Sequence, residues 1–402
     1  MFDLARLIHP VDPATFEREY WEQKPLVVAR NDPRYYHDLL SLADVDRILA
    51  VSSIRSPGIR IVHAGDDIPL SRLGDGGLFA TFSMLEALYA EYRSGSTIVL
   101  EVLDERWKPL MRLCQSLAAE FSAGIQVNAY LTPPSSSGLD THFDTHDVFV
   151  LQTHGSKHWR LFGSPIRLPR KGLRETGELG DPLQEFDLYP GDMIYIPRGY
   201  LHDAVTRGSS SLHLTVGILP MLWADVLRGA VDSIIARDSR FRESLPFGFA
   251  RSEAKSKEAE VRAGELLAIL REETDSASLI ADATAEALRA QPPFLDGHLL
   301  DLEMEPRIEL ETEVRRRTEI IPHLTLEGEN VCLQFHGKKV LMPSDVQPAL
   351  RFITAASQFT AAQLTGELDD EGKLNLVRRL VREGFLTTRQ KPQDEIPATT
   401  SA

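Results

Sequence analysis

The sequence predicts an α+β protein whose centre is an antiparallel jelly roll, with helical and mixed segments around it. Three observations carry this. Between residues 96 and 220, short apolar or alternating runs recur between turn residues, the texture of a sandwich or barrel. Residues 221–300 shift to an Ala-, Glu- and Leu-rich composition with high helix propensity. Residues 301–390 return to a mixed pattern of helix-opening signals and short strands.

The elements follow in order. Residues 1–95 read as a mixed α/β segment packing on the jelly roll. Phe16 to Lys24 reads as a short helix broken at Pro25, and Leu26 to Ala29 as a strand. Residues 81–93 and 109–121 carry apolar positions at helical spacing. The jelly-roll strands are expected at Thr97–Leu103, Gly124–Leu131, Asp147–Gln152, His158–Phe162, Asp192–Pro197 and Ser211–Val216. Glu253 to Ala290 reads as helix ended by Pro292 and Pro293, docking on a second copy of itself or within its own chain. In residues 301–390, Ser344-Asp-Val-Gln and Thr360-Ala-Ala-Gln are capping-box patterns. A third helix runs from Lys373 to Glu383 and stops at Gly384, before a strand from Phe385. Three helices and a strand pair are winged-helix-like. Residues 391–402 are expected to be a disordered tail.

Composition narrows the function classes. The chain has 402 residues, 43% hydrophobic and 26% charged, which fits two or three globular domains. It has only two cysteines, Cys114 and Cys332, which excludes a disulfide framework and a Cys-rich zinc site and fits a reducing cytoplasm. Met1 to Arg6 lacks the basic-then-apolar pattern of an export signal, and no run of about 18 apolar residues occurs. A cytoplasmic location is therefore expected. The net charge of -15 argues against direct nucleic-acid binding and suits a basic protein partner, although solubility accounts for it as well. Asp301 to Gln390 holds 12 Lys/Arg against 15 Asp/Glu, a net of -3, so protein docking is preferred there too.

The sharpest local signal is Thr141-His-Phe-Asp144. On extended backbone, residues i and i+2 share a face, so His142 and Asp144 can reach one ion while Phe143 points away. His202 follows a buried-strand pattern and a Pro197-Arg-Gly turn that would deliver it to a strand mouth. Two histidines and a carboxylate are the facial triad of non-haem Fe(II) oxygenases, which leaves positions open for co-substrate and O₂. A surface His–Asp pair beside an unrelated loop histidine is the competing reading. His146, His154 and His158 read as structural or exposed, with no partner at strand-ladder spacing.

The strings Val127-Asn-Ala-Tyr-Leu-Thr-Pro-Pro134, His142-Phe-Asp144 and Asp147 to Phe162 resemble the JmjC-domain ribosomal oxygenases, as does Tyr20-Trp-Glu-Gln-Lys-Pro-Leu26. These are cupin-fold protein hydroxylases that depend on Fe(II) and 2-oxoglutarate. The resemblance implies a double-stranded β-helix for residues 96–220, a dimerising helical region and a C-terminal winged helix. It also implies that Lys157 pairs with the distal carboxylate of 2-oxoglutarate. Asn128, Tyr130, His213 and Thr215 would line the co-substrate and substrate pocket, though ordinary polar strand faces explain them as well. The substrate it implies is an Arg or His side chain of a ribosomal protein. Phe143 departs from the Tyr often found there. A biosynthetic peptide or small molecule as target, and a non-catalytic cupin binding module, are the alternatives.

Overall fold

The computed structural model describes residues 2–51, 58–73, 80–170, 173, 180–289, 295–317 and 320–388. It divides into two units, Met1–Pro220 and Met221–Ala402. No described helix is long and apolar enough to cross a membrane.

The first unit opens with α1 (Leu4–Ile8) and α2 (Pro13–Glu19), capped by Asp3 and Asp12, then β1 (Leu26–Val28). Helix α2 does not run to Pro25. It stops six residues earlier, because tertiary anchors take over: the Glu22 amide donates to the Tyr195 hydroxyl (3.0 Å) and Trp21 stacks on Phe121. The chain continues through α3 (Leu42–Val51), β2 (Ile59–His63), β3 (Asp66–Ile68), α4 (Ala80–Arg93), β4 (Thr97–Leu100) and α5 (Lys108–Phe121). The remaining strands are β5 (Gly124–Thr132), β6 (Asp147–Gly155), β7 (Lys157–Leu161), β8 (Gln184–Leu188), β9 (Met193–Ile196), β10 (His202–Val205) and β11 (Ser211–Leu219).

Two antiparallel sheets face each other. The larger has the order β1-β9-β6-β11-β5-β4-β2-β3, and the smaller is β10-β7-β8. This is the expected jelly roll. Strand alternation assigns its faces. Val127, Ala129, Leu212, Leu214, Val216, Phe149 and Tyr195 join the main core with residues of the N-terminal and α5 helices. The opposite faces of β6 and β9 supply Val148, Val150, Ile194 and Ile196, which pack between the sheets on Trp159, Leu161, Leu188 and Ala204.

The second unit contains α6 (Trp223–Arg237), α7 (Glu253–Glu273), α8 (Ser276–Arg289), α9 (His298–Met304), β12 (Glu313–Arg316), β13 (His323–Glu327), β14 (Asn330–Phe335) and β15 (Lys338–Pro343). It ends with α10 (Gln347–Ala355), β16 (Gln358–Thr360), α11 (Asp370–Arg382) and β17 (Leu386–Thr387). Helix α8 ends at Arg289, and the expected Pro292–Pro293 stop and the 391–402 tail lie outside the described residues. The Thr360 capping box forms but opens only a 3₁₀ turn, and Ser344 starts a 3₁₀ turn leading into α10. Helix α11 begins three residues before Lys373, where Asp369 caps it, and gives way at Gly384 (φ 82°). Besides the sheet β16-β12-β17 there is a meander, β13-β14-β15, that the sequence reading missed.

Candidate metal centre

His202 begins β10 after the Pro197-Arg198-Gly199 turn. Gly199 has φ 92°, and a Cβ there would sit 2.4 Å from the Ile166 carbonyl oxygen, so a side chain would not fit. His142 lies outside the regular strands. It faces His202 across a single antiparallel bridge, with His142 N donating to His202 O (3.1 Å) and His202 N to His142 O (2.8 Å). The pairing, not an extended strand, puts both rings on one side, with centroids 4.6 Å apart. Phe143 turns away onto Phe162 and Leu201.

Each ring is oriented by the carbonyl two residues before it. His142 Nδ1 lies 2.7 Å from Asp140 O, and His202 Nδ1 lies 3.0 Å from Tyr200 O. A carbonyl only accepts, so Nδ1 carries the proton and Nε2 keeps its lone pair. Burial, reinforced by the neighbouring His142, holds His202 well below the usual histidine range, so it is neutral. Asp144 Oδ2 approaches His202 Nε2 at 3.8 Å. One donor atom from each of His142, Asp144 and His202 lies within 4.8 Å of the others. Two imidazole nitrogens and a carboxylate oxygen, with His142 and Asp144 half-exposed, fit an ion held on one face and open on the other.

Below these residues the interior is polar. Lys157 is buried, and its Nζ donates to Thr132 Oγ1 (3.3 Å), itself bonded to Thr97 Oγ1 (3.1 Å). No carboxylate pairs with Lys157 among the described residues, and desolvation lowers its pKa to about 8. His213 stacks on Tyr130 (5.0 Å, 4°) and meets Trp159 edge-on at 5.7 Å. His213 Nδ1, Trp159 Nε1 and Gln152 Oε1 are buried with no hydrogen-bond partner. A buried ammonium and an unpartnered indole N–H on the same face of β7 suit a small anion, whereas the Gln152 oxygen can only accept a hydrogen bond. Toward the mouth, Thr215 and Asn128 are cross-strand partners, and Asn128 Oδ1 accepts from Val102 N (2.9 Å), leaving its amide hydrogens available. Arg60, whose charge acts on Tyr130, pairs with Asp67 (3.1 Å) and Glu101 (3.0 Å).

Residues 102–226 match the family described as JmjC domain. This segment is similar to a JmjC domain. The chain is 34% identical over 217 residues to the Drosophila pseudoobscura pseudoobscura "Bifunctional lysine-specific demethylase and histidyl-hydroxylase NO66", covering 53% of this chain and 22% of that protein. It is 32% identical over 253 residues to "Ribosomal oxygenase 2" of Mus musculus, covering 60% of this chain and 53% of that one. The chain thus spans from about a fifth to about half of these curated relatives' length. The E. coli ycfD structure matches with a TM-score of 0.52 at 17% identity, over 94% of this chain and 98% of that one, which shows a shared fold. The E. coli ribosomal oxygenase YcfD has also been solved in complex with cobalt and 2-oxoglutarate (TM-score 0.50, 16% identity).

A buried ion pair is anchored in the turn that delivers His202. Arg198 Nη1 pairs with Asp147 Oδ2 (2.6 Å) and Nη2 with Glu22 (2.5 Å), while Tyr195 donates to Asp147 Oδ1 (2.9 Å). Gly199 N donates to Asp144 O (3.0 Å). Asp147, Arg198, Gln152 and Trp159 were not singled out as site residues in the sequence; for Asp147 and Arg198 the signal was a charge at the end of an apolar run. His146 packs its ring against Gly217, and His154 is exposed. His158 does have a ladder partner, contrary to expectation: it pairs across β7–β8 with Asp187 (2.9 Å) and also reaches Glu185 (3.2 Å). Strand β8 escaped notice because Gln184-Glu-Phe-Asp-Leu188 is too polar to read as a strand.

Proposed function

We propose that the chain is an Fe(II)- and 2-oxoglutarate-dependent oxygenase that hydroxylates a protein side chain, an Arg or His of a ribosomal protein. The observation that carries this is the pairing of two features in one barrel. A two-histidine, one-carboxylate cluster stands at the mouth, and an unpaired buried lysine lies beneath it. His142, Asp144 and His202 would hold the iron. When bound, ferrous iron with 2-oxoglutarate supplies the oxidising chemistry that hydroxylates an unactivated C–H bond and yields succinate and CO₂. Lys157 Nζ would bind the distal carboxylate by a charge-assisted hydrogen bond. His213 and Tyr130 would flank the co-substrate, and Asn128 and Thr215 would face the mouth. The apolar residues between the sheets exclude water from the same chamber.

The net charge of -15 favours a basic partner, and the names of the relatives favour a ribosomal one. Helix α6 exposes Trp223 and Leu227, and α7 and α8 expose Val261, Leu267 and Ile280, which supports pairing with a second copy. The winged-helix-like arrangement after residue 301 would then dock protein rather than nucleic acid, and a cytoplasmic location suits the two free cysteines.

Purified protein given Fe(II) and 2-oxoglutarate should release succinate, faster with the target present. Ribosomal proteins from cells with the gene should carry one added oxygen that is missing without it. Failure to bind 2-oxoglutarate at millimolar concentration would overturn the assignment. An unchanged ribosomal mass pattern would move the target to a peptide or small molecule.

A further inference from the structure

Resting on the metal-site reading above, we propose that Thr141, Asp203 and Arg160 form a clamp that sets the spacing of the two metal histidines, Thr141 and Asp203 acting as positioning residues. The backbone shows why one is needed. The segment before His142 meets β10 at only two bridges, Ser137 with Val205 and His142 with His202. Four residues lie between the bridges on one side and two on the other, so two extra residues must bulge between them. Gly138 O and Asp140 O are turned away from β10, accepting from Gly65 N (3.1 Å) and His142 Nδ1 (2.7 Å). A bulge directly before a metal ligand leaves that ligand poorly fixed by ladder bonds alone.

The side chains complete the tie. Thr141 Oγ1 donates to Asp203 Oδ2 (2.5 Å), one residue before His142 and one after His202. Arg160, the cross-strand neighbour of Asp203 on β7, grips the same carboxylate twice, Nε to Oδ1 (2.7 Å) and Nη2 to Oδ2 (2.8 Å). Asp203 is buried, and its alternation with His202 and Ala204 puts it on the outer face of the small sheet, away from the ion. The contact therefore runs across β7, β10 and the His142 segment and acts on the metal only through backbone position. A forked guanidinium on a carboxylate resists rotation, so Asp203 presents a fixed acceptor to Thr141.

Cobalt(II) titration of the full-length protein, read by its visible absorption, tests this, with the melting temperature of the metal-free form as control. Thr141→Val should weaken cobalt binding about 10-fold and alter the spectrum, with little change in metal-free melting. Thr141→Ser should restore both affinity and spectrum. Asp203→Asn should weaken binding at least as much as Thr141→Val; if it fails to fold, the Thr141 pair decides alone. Wild-type affinity and spectrum in Thr141→Val would overturn the clamp and leave the metal-site reading standing. No cobalt binding by the wild type would overturn both.

Discussion

The two halves of the barrel interior differ in chemistry although the same strand geometry builds both. On the side of β6 and β9, the inward residues Val148, Val150, Ile194 and Ile196 close against Trp159 and Leu161, with Gln152 the polar exception on β6. On the side of β5 and β11, the inward positions hold Asn128, Tyr130, Thr132, Ser211, His213 and Thr215, with Lys157 beneath. Outward positions are apolar on both sides, so the fold is specified equally by each half. Alternation alone makes the barrel. The choice of polar residue at alternate positions on two adjacent strands makes the chamber.

Removing a metal ligand breaks the polar half most completely. Asp144→Ala and His202→Ala should abolish both cobalt binding and succinate release while the metal-free fold persists, as circular dichroism would show. Lys157→Met comes next. Losing one partner of a buried charge pair should weaken 2-oxoglutarate binding by about 2–5 kcal/mol, measured by calorimetry. The same variant should melt higher without ligand at neutral pH, because an unpaired buried ammonium is removed.

A milder perturbation uses pH. Lys157 titrates at about 8 in the folded protein against 10.5 in the free amino acid. Between those values the unfolded chain binds more protons, so this lysine adds stability as pH rises through the window and changes nothing outside it. Co-substrate binding prefers the ammonium. The KM for 2-oxoglutarate should therefore be flat below pH 8 and climb above it, by at most about tenfold per pH unit. A flat profile to pH 9.5 would remove Lys157 from the pocket. The smallest effect belongs to the apolar half: Ile194→Val should cost about 0.5–1.5 kcal/mol of stability by denaturant titration and leave 2-oxoglutarate affinity unchanged.

Much of this contrast was readable in the sequence. Alternation in Gly124–Leu131 and Ser211–Val216 separates inward from outward residues, and His142 with Asp144 follows from the i, i+2 rule. The reason behind that pair was only half visible, since His142 is held by one bridge and not by a strand. Burial of Lys157 ran against its residue type, so only the family resemblance pointed to it. Trp159 and Gln152 look like ordinary strand residues until folding leaves their polar atoms unpartnered. Polar β8 lacked the apolar run on which strand recognition depends, whereas β13 (His323-Leu-Thr-Leu-Glu327) and β14 (Val331-Cys-Leu333) carried alternation and an apolar run that went unread. The stop of α2 was misread because Tyr195, distant in sequence, supplies the anchor.

A crystal structure with manganese(II) and 2-oxoglutarate under anaerobic conditions tests the central claim most directly. The metal should bind Nε2 of His142 and His202 and a carboxylate oxygen of Asp144, with the far carboxylate of the co-substrate on Lys157 Nζ. Metal bound elsewhere, or a co-substrate that leaves Lys157 unpaired, would contradict the account.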